Sequence, residues 1–302
     1  MVNFYKIGKE IYNVGYWREA HRFIVFVARA YLNYGSLTDL YSFFLATPER
    51  RALIKNNKFY LEQATRAFFY KGSTFKERSQ LIKNHFKILQ SLIQNEWVQK
   101  FSQNQPYEIW RSTDAAVNWS AELKFETGQR KEGLLSVMMW FNGKALYQIM
   151  FWLNYDKNGE PSLYIGAMQG PNTENAKETV KETTKLAHRY RTKNLILYMT
   201  QAVARALGVK HIYAVANEGY YANNHVRRDR KLKTDFGAFW EEAGGKLTKD
   251  IRFYELPLTE TRKTMEEVPT RKRAVYRKRF AFQDDVDAQI AAKLSLIMRN
   301  ED

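Results

Sequence analysis

Asn142-Gly143 stands between two strongly apolar runs, "LLSVMMWF" (134–141) and "ALYQIMFWLNY" (145–155). Both central residues of a two-residue hairpin turn need positive φ, which Asn and Gly tolerate best, so this dipeptide commits the runs to antiparallel pairing. A second turn, "DKNGE" (156–160), separates the second run from "SLYIGAM" (162–168). The stretch from 132 to 168 therefore reads as an antiparallel meander, and "AVNWSAELKFET" (116–127) adds a weaker strand before it.

Residues 1 to about 105 have a different period. Apolar side chains recur at three and four spacing in "WREAHRFIVFVARAYL" and again from Leu81 to Trp97, the signature of amphipathic helices. Gly35-Ser36 and Gly72-Ser73 mark breaks, and Thr47 followed by Pro48 reads as an N-cap with proline in the first helical position. After the meander come a helix capped at Asn172 or Thr173, a second helix ending at Gly208 and a short buried strand, "HIYAVAN". A brief helix at "DFGAFWEEAGG", a strand at "IRFYELPL" and an amphipathic tail helix with Val286, Ile290, Leu294 and Ile297 complete the chain.

The fold class is α+β: a helical region, 1–105, packed on an α/β domain, 106–302, with a mixed, mostly antiparallel sheet. The order of elements in the second part resembles the GCN5-related acyltransferase fold. In that arrangement a central strand ends early, and the N-terminus of a following helix receives a pyrophosphate. Here the strand exit is Gln169-Gly170-Pro171, and the receiver is "HRYRTKN" (188–194), with Arg189, Arg191 and Lys193 as anion-binding candidates. An extra helix at 173–188 lies between them, so the likeness is one of order.

"AVANEGYYANNHVRRDR" (214–230) follows the next strand and gathers polar and aromatic groups where α/β layers build pockets. Glu218 or His225 is a candidate general base, Tyr221 a candidate acid, and Asn217 and Tyr220 their neighbours. A loop rich in Asn and Gly has the same composition without chemistry. Walker, Rossmann, His-Glu-x-x-His and Gly-x-Ser-x-Gly patterns are absent. The five histidines, at 21, 85, 188, 211 and 225, are too scattered in sequence to name a metal site, and no metal is expected.

Charge widens the choice of partners. Lys and Arg number 48 against 32 Asp and Glu, a formal net charge of +16, which attracts anionic small molecules, membrane surfaces or nucleic acid. "RKRAVYRKR" (271–279), with Tyr276 and Phe280 nearby, is a dense basic run, yet no recognised nucleic-acid module accompanies it. There is no cysteine, which removes disulfides and thiolate chemistry. The start has no secretory signal pattern, so the expected location is the cytoplasm, with the inner membrane surface as a peripheral alternative.

"LYIGAMQGP", "LAHRYRTKNLI", "HIYAVAN", "DFGAFWEEAGG", "FYELP" and "KRAVYRKRF" occur in an order and spacing that resembles the VirK/YbjX family of Gram-negative bacteria, across roughly residues 20 to 285. The resemblance implies a setting of virulence, envelope integrity and resistance to antimicrobial peptides; it supplies no reaction. The family's His-Gly-x-Arg-Pro motif corresponds here to His188, Arg189, Tyr190, Arg191 and Thr192, so Arg and Thr replace Gly and Pro. The positions that carry over are Gln169, Gly170, Pro171, His188, Arg191, Lys193, Asn217 and Trp240. Two readings follow. One is an acyltransferase-like enzyme with His188, Glu218, Tyr221 or His225 as catalytic groups, Gln169, Gly170, Arg189, Arg191, Lys193 and Asn217 as residues that bind the cofactor, and acyl-CoA or acyl-carrier protein as donor. The other is a non-catalytic basic protein that binds anionic lipid, lipopolysaccharide or RNA.

Overall fold

The Asn142-Gly143 turn adopts the two positive φ values that its composition demands, 49° and 71°, and joins strands β3 (Leu135–Phe141) and β4 (Lys144–Tyr155). The computed structural model describes residues 1–125, 127–223 and 235–299. Around the hairpin an eight-stranded sheet is built from β1 (Tyr107–Arg111), β2 (Trp119–Lys124), β5 (Pro161–Gln169), β6 (His211–Val215), β7 (Lys246–Leu247) and β8 (Phe253–Leu256). Its order is β1-β2-β3-β4-β5-β6-β8-β7. Every neighbouring pair is antiparallel except β5 and β6, which run parallel.

Strand β4 is buried on both faces, which explains why it reads as a continuous apolar run instead of an alternating one. On one side it packs against α6 (Phe75–Leu92), on the other against α9 (Thr192–Ala206). His85 of α6 accepts the Leu153 N–H through Nδ1 at 3.0 Å. Burial pushes its pKa down to about 3, so it serves as a neutral acceptor. The remaining N-terminal helices are α1 (Phe4–Ile11), α2 (Trp17–Leu32), α3 (Tyr34–Leu45), α4 (Pro48–Asn56), α5 (Phe59–Thr65) and α7 (Asn95–Ser102). Thr47 caps α4 as expected, and Thr74 with Glu77 forms a capping box at the start of α6. One buried apolar cluster runs through the helices and the sheet.

Four local readings change. The break before α3 falls at Asn33, whose side chain caps the Arg29 carbonyl, and Gly35 sits inside the first turn of α3. Helix α8 (Ala176–Leu186) starts after Asn175, not after Asn172 or Thr173. Strands β1 and β7 carry too short an apolar pattern to announce themselves. Helix α11 (Arg273–Ser295) extends about three turns upstream of the amphipathic tail, so most of the basic run is helical, with Arg271, Lys272, Arg277 and Lys278 exposed. The short α10 (Phe236–Glu242) forms where expected, with Asp235 as its cap.

Gly166 is the residue that lets the sheet accept the loop preceding β3. The register between β4 and β5 slips there, pairing Phe151 with Ile165 and Met150 with Ala167, so Gly166 bulges out. A Cβ at this position would overlap the Glu132 carbonyl oxygen. Gly166→Ala should therefore destabilise the chain by about 1–3 kcal/mol, read as a lower urea midpoint at unchanged slope.

Candidate functional site where two parallel strands part

The pairing of β5 with β6 lasts four residues, from Ser162 opposite His211 to Ile165 opposite Ala214. Beyond it β6 keeps only its other neighbour, β8, which pairs with it from Ile212 to Val215, and the Ala216 N–H donates to the Arg252 carbonyl at 2.8 Å. Strand β5 continues to Gln169, paired among the described strands with β4 alone. The two chains thus diverge at their carboxyl ends, where parallel strands place ligand sites.

Glu132 lies at this divergence. Its side chain comes from the loop that crosses to Gly166, and the residue is 3% exposed. Tyr220, just past β6, donates its hydroxyl to Glu132 Oε1 at 2.7 Å. Gln169 donates through Nε2 to Glu132 Oε2 at 3.2 Å and exchanges a reciprocal amide pair with Gln129 at 2.8 and 2.9 Å. Burial pushes the Glu132 carboxyl above the ordinary range, against the opposing pull of the Tyr220 and Gln169 hydrogen bonds and of Lys131. Tyr220 is likewise raised, first by burial and then by the negative charge it faces. A carboxyl whose pKa is raised by burial, hydrogen-bonded to a phenol, is a pairing of groups that can exchange protons when a substrate reaches them. The segment after α5 pins Tyr220: the Lys71 N–H donates to the Gly219 carbonyl at 2.7 Å, and Tyr70 bridges to Tyr220.

The residues singled out from sequence fall into separate neighbourhoods. Gln169 joins Glu132 and Tyr220, Gly170 lies under the Tyr147 ring, Pro171 follows at the partly exposed exit, and Tyr221 packs edge-on against Phe68. Asn217 ties the β6 exit to α10, accepting the Phe236 N–H at 2.9 Å and donating to Asp235 at 2.8 Å. Trp240 on the same helix is fully buried and donates to the Val215 carbonyl at 3.0 Å. Arg191 and Lys193 both pair with Glu242 at the end of α10, and Lys193 also lies over the Phe239 ring. Glu218 is exposed on the turn. His225 lies outside the described residues.

His188 and Arg189 form a third group. Both have left-handed backbone, with φ of 51° and 64°, in the tight turn between α8 and α9. Arg189 thus occupies a conformation that favours glycine, the residue of the motif this stretch resembles. Arg279 of α11 offsets the strain by donating to both carbonyls, at 3.3 Å to His188 and 2.9 Å to Arg189. Thr192 is buried, its hydroxyl 2.9 Å from that of Thr183. The His188 ring borders a cavity of about 480 Å³ walled by Trp110, Trp119, Phe282 and Asp285. Charge repulsion from Lys278 and Arg279 adds to burial in lowering its pKa.

Glu132 and Gln129 were not legible as site residues. The one sequence signal was an acidic side chain directly before Gly133 and an apolar run, which ordinary loops share.

Kinship follows from comparison with known proteins. Residues 15–292 match DUF535, a family described as proteins of unknown function. The chain belongs to this family. It is the VirK/YbjX family, and YbjX of Escherichia coli is 31% identical over 176 residues, 57% of this chain and 53% of that protein. An uncharacterised protein of Haemophilus influenzae is 33% identical over 174 residues, 58% of this chain and 57% of its own length. A protein named membrane protein LapB, from Mannheimia haemolytica, is 23% identical over 191 residues, 62% of this chain and 79% of that one. The chain therefore spans little more than half the length of the first two relatives. No solved structure matches it. Among the described residues, no helix is long and apolar enough to cross a membrane.

Because the Glu132 pKa is raised in the folded chain, its contribution to stability is fully present below the ordinary carboxylate range and is lost as pH rises through the raised value. Glu132→Gln keeps an acceptor for Tyr220 and cannot ionise. In denaturation series from about pH 4 upward, wild type should lose stability relative to this variant; parallel curves would contradict the assignment.

Proposed function

We propose that this DUF535 protein is an acyltransferase-like enzyme that uses a phosphopantetheine thioester, acyl-CoA or acyl-carrier protein, to modify an envelope precursor or a protein. The observation that carries this reading is the parting of β5 from β6 beside a buried Glu132–Tyr220 pair. The free edge of β5 offers backbone groups to an extended donor. Helix α9, which starts without a side-chain cap, leaves its first amides for a phosphate. The order of meander, helices, parallel strand, helix and closing hairpin supports the likeness to the GCN5-related acyltransferase fold. Glu132 would take the proton of the acceptor, and Tyr220 would return one to the leaving thiolate. Such a modification of the envelope fits a role in virulence and in resistance to antimicrobial peptides.

Calorimetric titration with a panel of acyl-CoA and acyl-carrier donors tests the reading. Saturable binding should appear, and Tyr220→Phe should lower turnover at least ~100-fold, the usual worth of a general acid, with little change in donor affinity. A folded chain that ignores every donor at millimolar concentration would remove the proposal.

A second reading, attachment to an anionic membrane surface, is favoured by α2. Trp17, Ile24 and Tyr31 recur every seven residues on its solvent side, and Leu32 continues the stripe. Trp17 is 81% and Leu32 82% exposed, with exposed Lys6, Lys9 and Arg18 nearby in sequence. Aromatic and basic side chains in this pattern suit the interface of an anionic bilayer. The naming of the Mannheimia haemolytica relative as a membrane protein points the same way. Trp17→Ser with Leu32→Ser should reduce sedimentation with phosphatidylglycerol vesicles at least ~10-fold, since two large side chains lose interfacial burial; unchanged sedimentation would exclude this face.

A further inference from the structure

A different polar cluster occupies the amino ends of β5 and β6, at the far end of the parallel pair from Gln169. His211 opens β6 and meets carboxylates from two directions. Its Nδ1 lies 2.9 Å from Glu255 Oε1 on β8, and its Nε2 lies 3.2 Å from Glu160 Oε2 and 3.9 Å from Asp156 Oδ2 in the β4–β5 turn.

The turn is built to present Asp156. Gly159, at φ 82°, lets the chain double back so that the N–H groups of Asn158 and Glu160 both donate to Asp156 Oδ1, at 2.8 and 2.9 Å. Its Oδ2 is left facing His211, with a single hydrogen bond, from the Asn158 side chain at 3.5 Å. The Asp156 side chain is only 2% exposed. Although the chain carries a net charge of +16, no lysine or arginine among the described residues forms an ion pair with Asp156, Glu160 or Glu255. Three carboxylates thus surround one imidazole without a direct lysine or arginine partner among the described residues, while Lys157 and Lys249 line the adjoining cavity.

We propose that this cluster is a site for a divalent transition-metal ion of the zinc, manganese or cobalt class. Its ligands are His211 Nε2, Asp156 Oδ2 and Glu160 Oε2. One donor atom from each lies within 4.8 Å of the others, so small side-chain adjustments, above all of the exposed Glu160, bring them to bonding distance of one ion. Glu255 acts through His211: by accepting from Nδ1–H it fixes the tautomer that turns the Nε2 lone pair toward the two carboxylates. An imidazole among the donors favours such ions over magnesium or calcium. Asp156 and Glu255 also line a cavity of about 450 Å³ with Tyr164, Tyr213, Asp250 and Phe253, which leaves room for water or a further ligand beside the ion. The site was invisible in sequence because its four residues come from a hairpin turn and two strands, 156 to 255.

The full chain, stripped with chelator and checked for folding by circular dichroism, is titrated with Zn²⁺ and Mn²⁺ by calorimetry and with Co²⁺ by visible absorption. One ion per chain should bind, and Tm should rise because the ligands join the β4–β5 turn to β6. Asp156→Asn with Glu160→Gln should abolish binding, and Glu255→Gln should weaken it ~10–100-fold, the usual worth of an orienting carboxylate. His21→Ala, which removes an unrelated exposed histidine, should leave binding unchanged. No metal uptake by the folded chain would overturn the proposal and leave His211 as the centre of an ion-pair cluster. Equal binding by the Asp156/Glu160 double variant would overturn it by placing the ion elsewhere. If the double variant fails to fold, Glu255→Gln and His211→Gln carry the test, and full affinity in both has the same consequence.

Discussion

Four residues of parallel pairing between β5 and β6 organise the molecule. Parallel neighbours cannot be joined by a tight turn, so the chain must leave the sheet, cross it and return, and α8 and α9 make that crossing. The crossing covers one face of β4 with α9, while α6 covers the other. Because the pairing is short, each end of the pair gathers polar side chains from neighbouring elements. At the carboxyl ends the strands diverge around Glu132 and Tyr220; at the amino ends the β4–β5 turn brings Asp156 and Glu160 to His211.

Each of these clusters sets the cost of desolvation against hydrogen bonding. Glu132 is almost sealed from water and responds by favouring its protonated form, which Tyr220 and Gln169 only partly oppose. His211 is also shifted toward its protonated form, which here is the charged one. Burial lowers its pKa, but the hydrogen bonds its ring makes to the Glu255 and Glu160 carboxylates and the charges of Glu255 and Asp156 outweigh that cost and leave it raised. The basic residues of the central turn are engaged structurally instead. Arg279 holds the carbonyls of two left-handed residues, and Arg191 and Lys193 hold Glu242. Their work is to keep α9 and α10 in place beside the parted strands.

Much of the architecture was legible because its signals are local. Asn142-Gly143, the "DKNGE" turn, Thr47-Pro48 and Gly208 each impose a backbone geometry within a few residues, and each appears where it was read. The elements that escaped have weak local codes. β1 and β7 are short strands completed by their partners, and the early start of α11 depends on cations that find solvent or a carbonyl in the folded chain. Of the site residues, Gln169 was singled out for its place at a strand exit. Glu132 was not, because its meaning comes from Tyr220, 88 positions further on.

The amino-acid sequence by itself determined the hairpins, the helical caps, the excess of positive charge and the membership of the family, since all of these are written in short stretches or in their order. Tertiary structure alone decided which polar side chains meet. Glu132 reaches Tyr220 and Gln169 only because the loop before β3 crosses a bulged strand at Gly166, and His211 reaches Asp156 and Glu255 only because β6 enters the sheet between β5 and β8. Register and crossover set those meetings, and both are properties of the assembled sheet that no local stretch encodes.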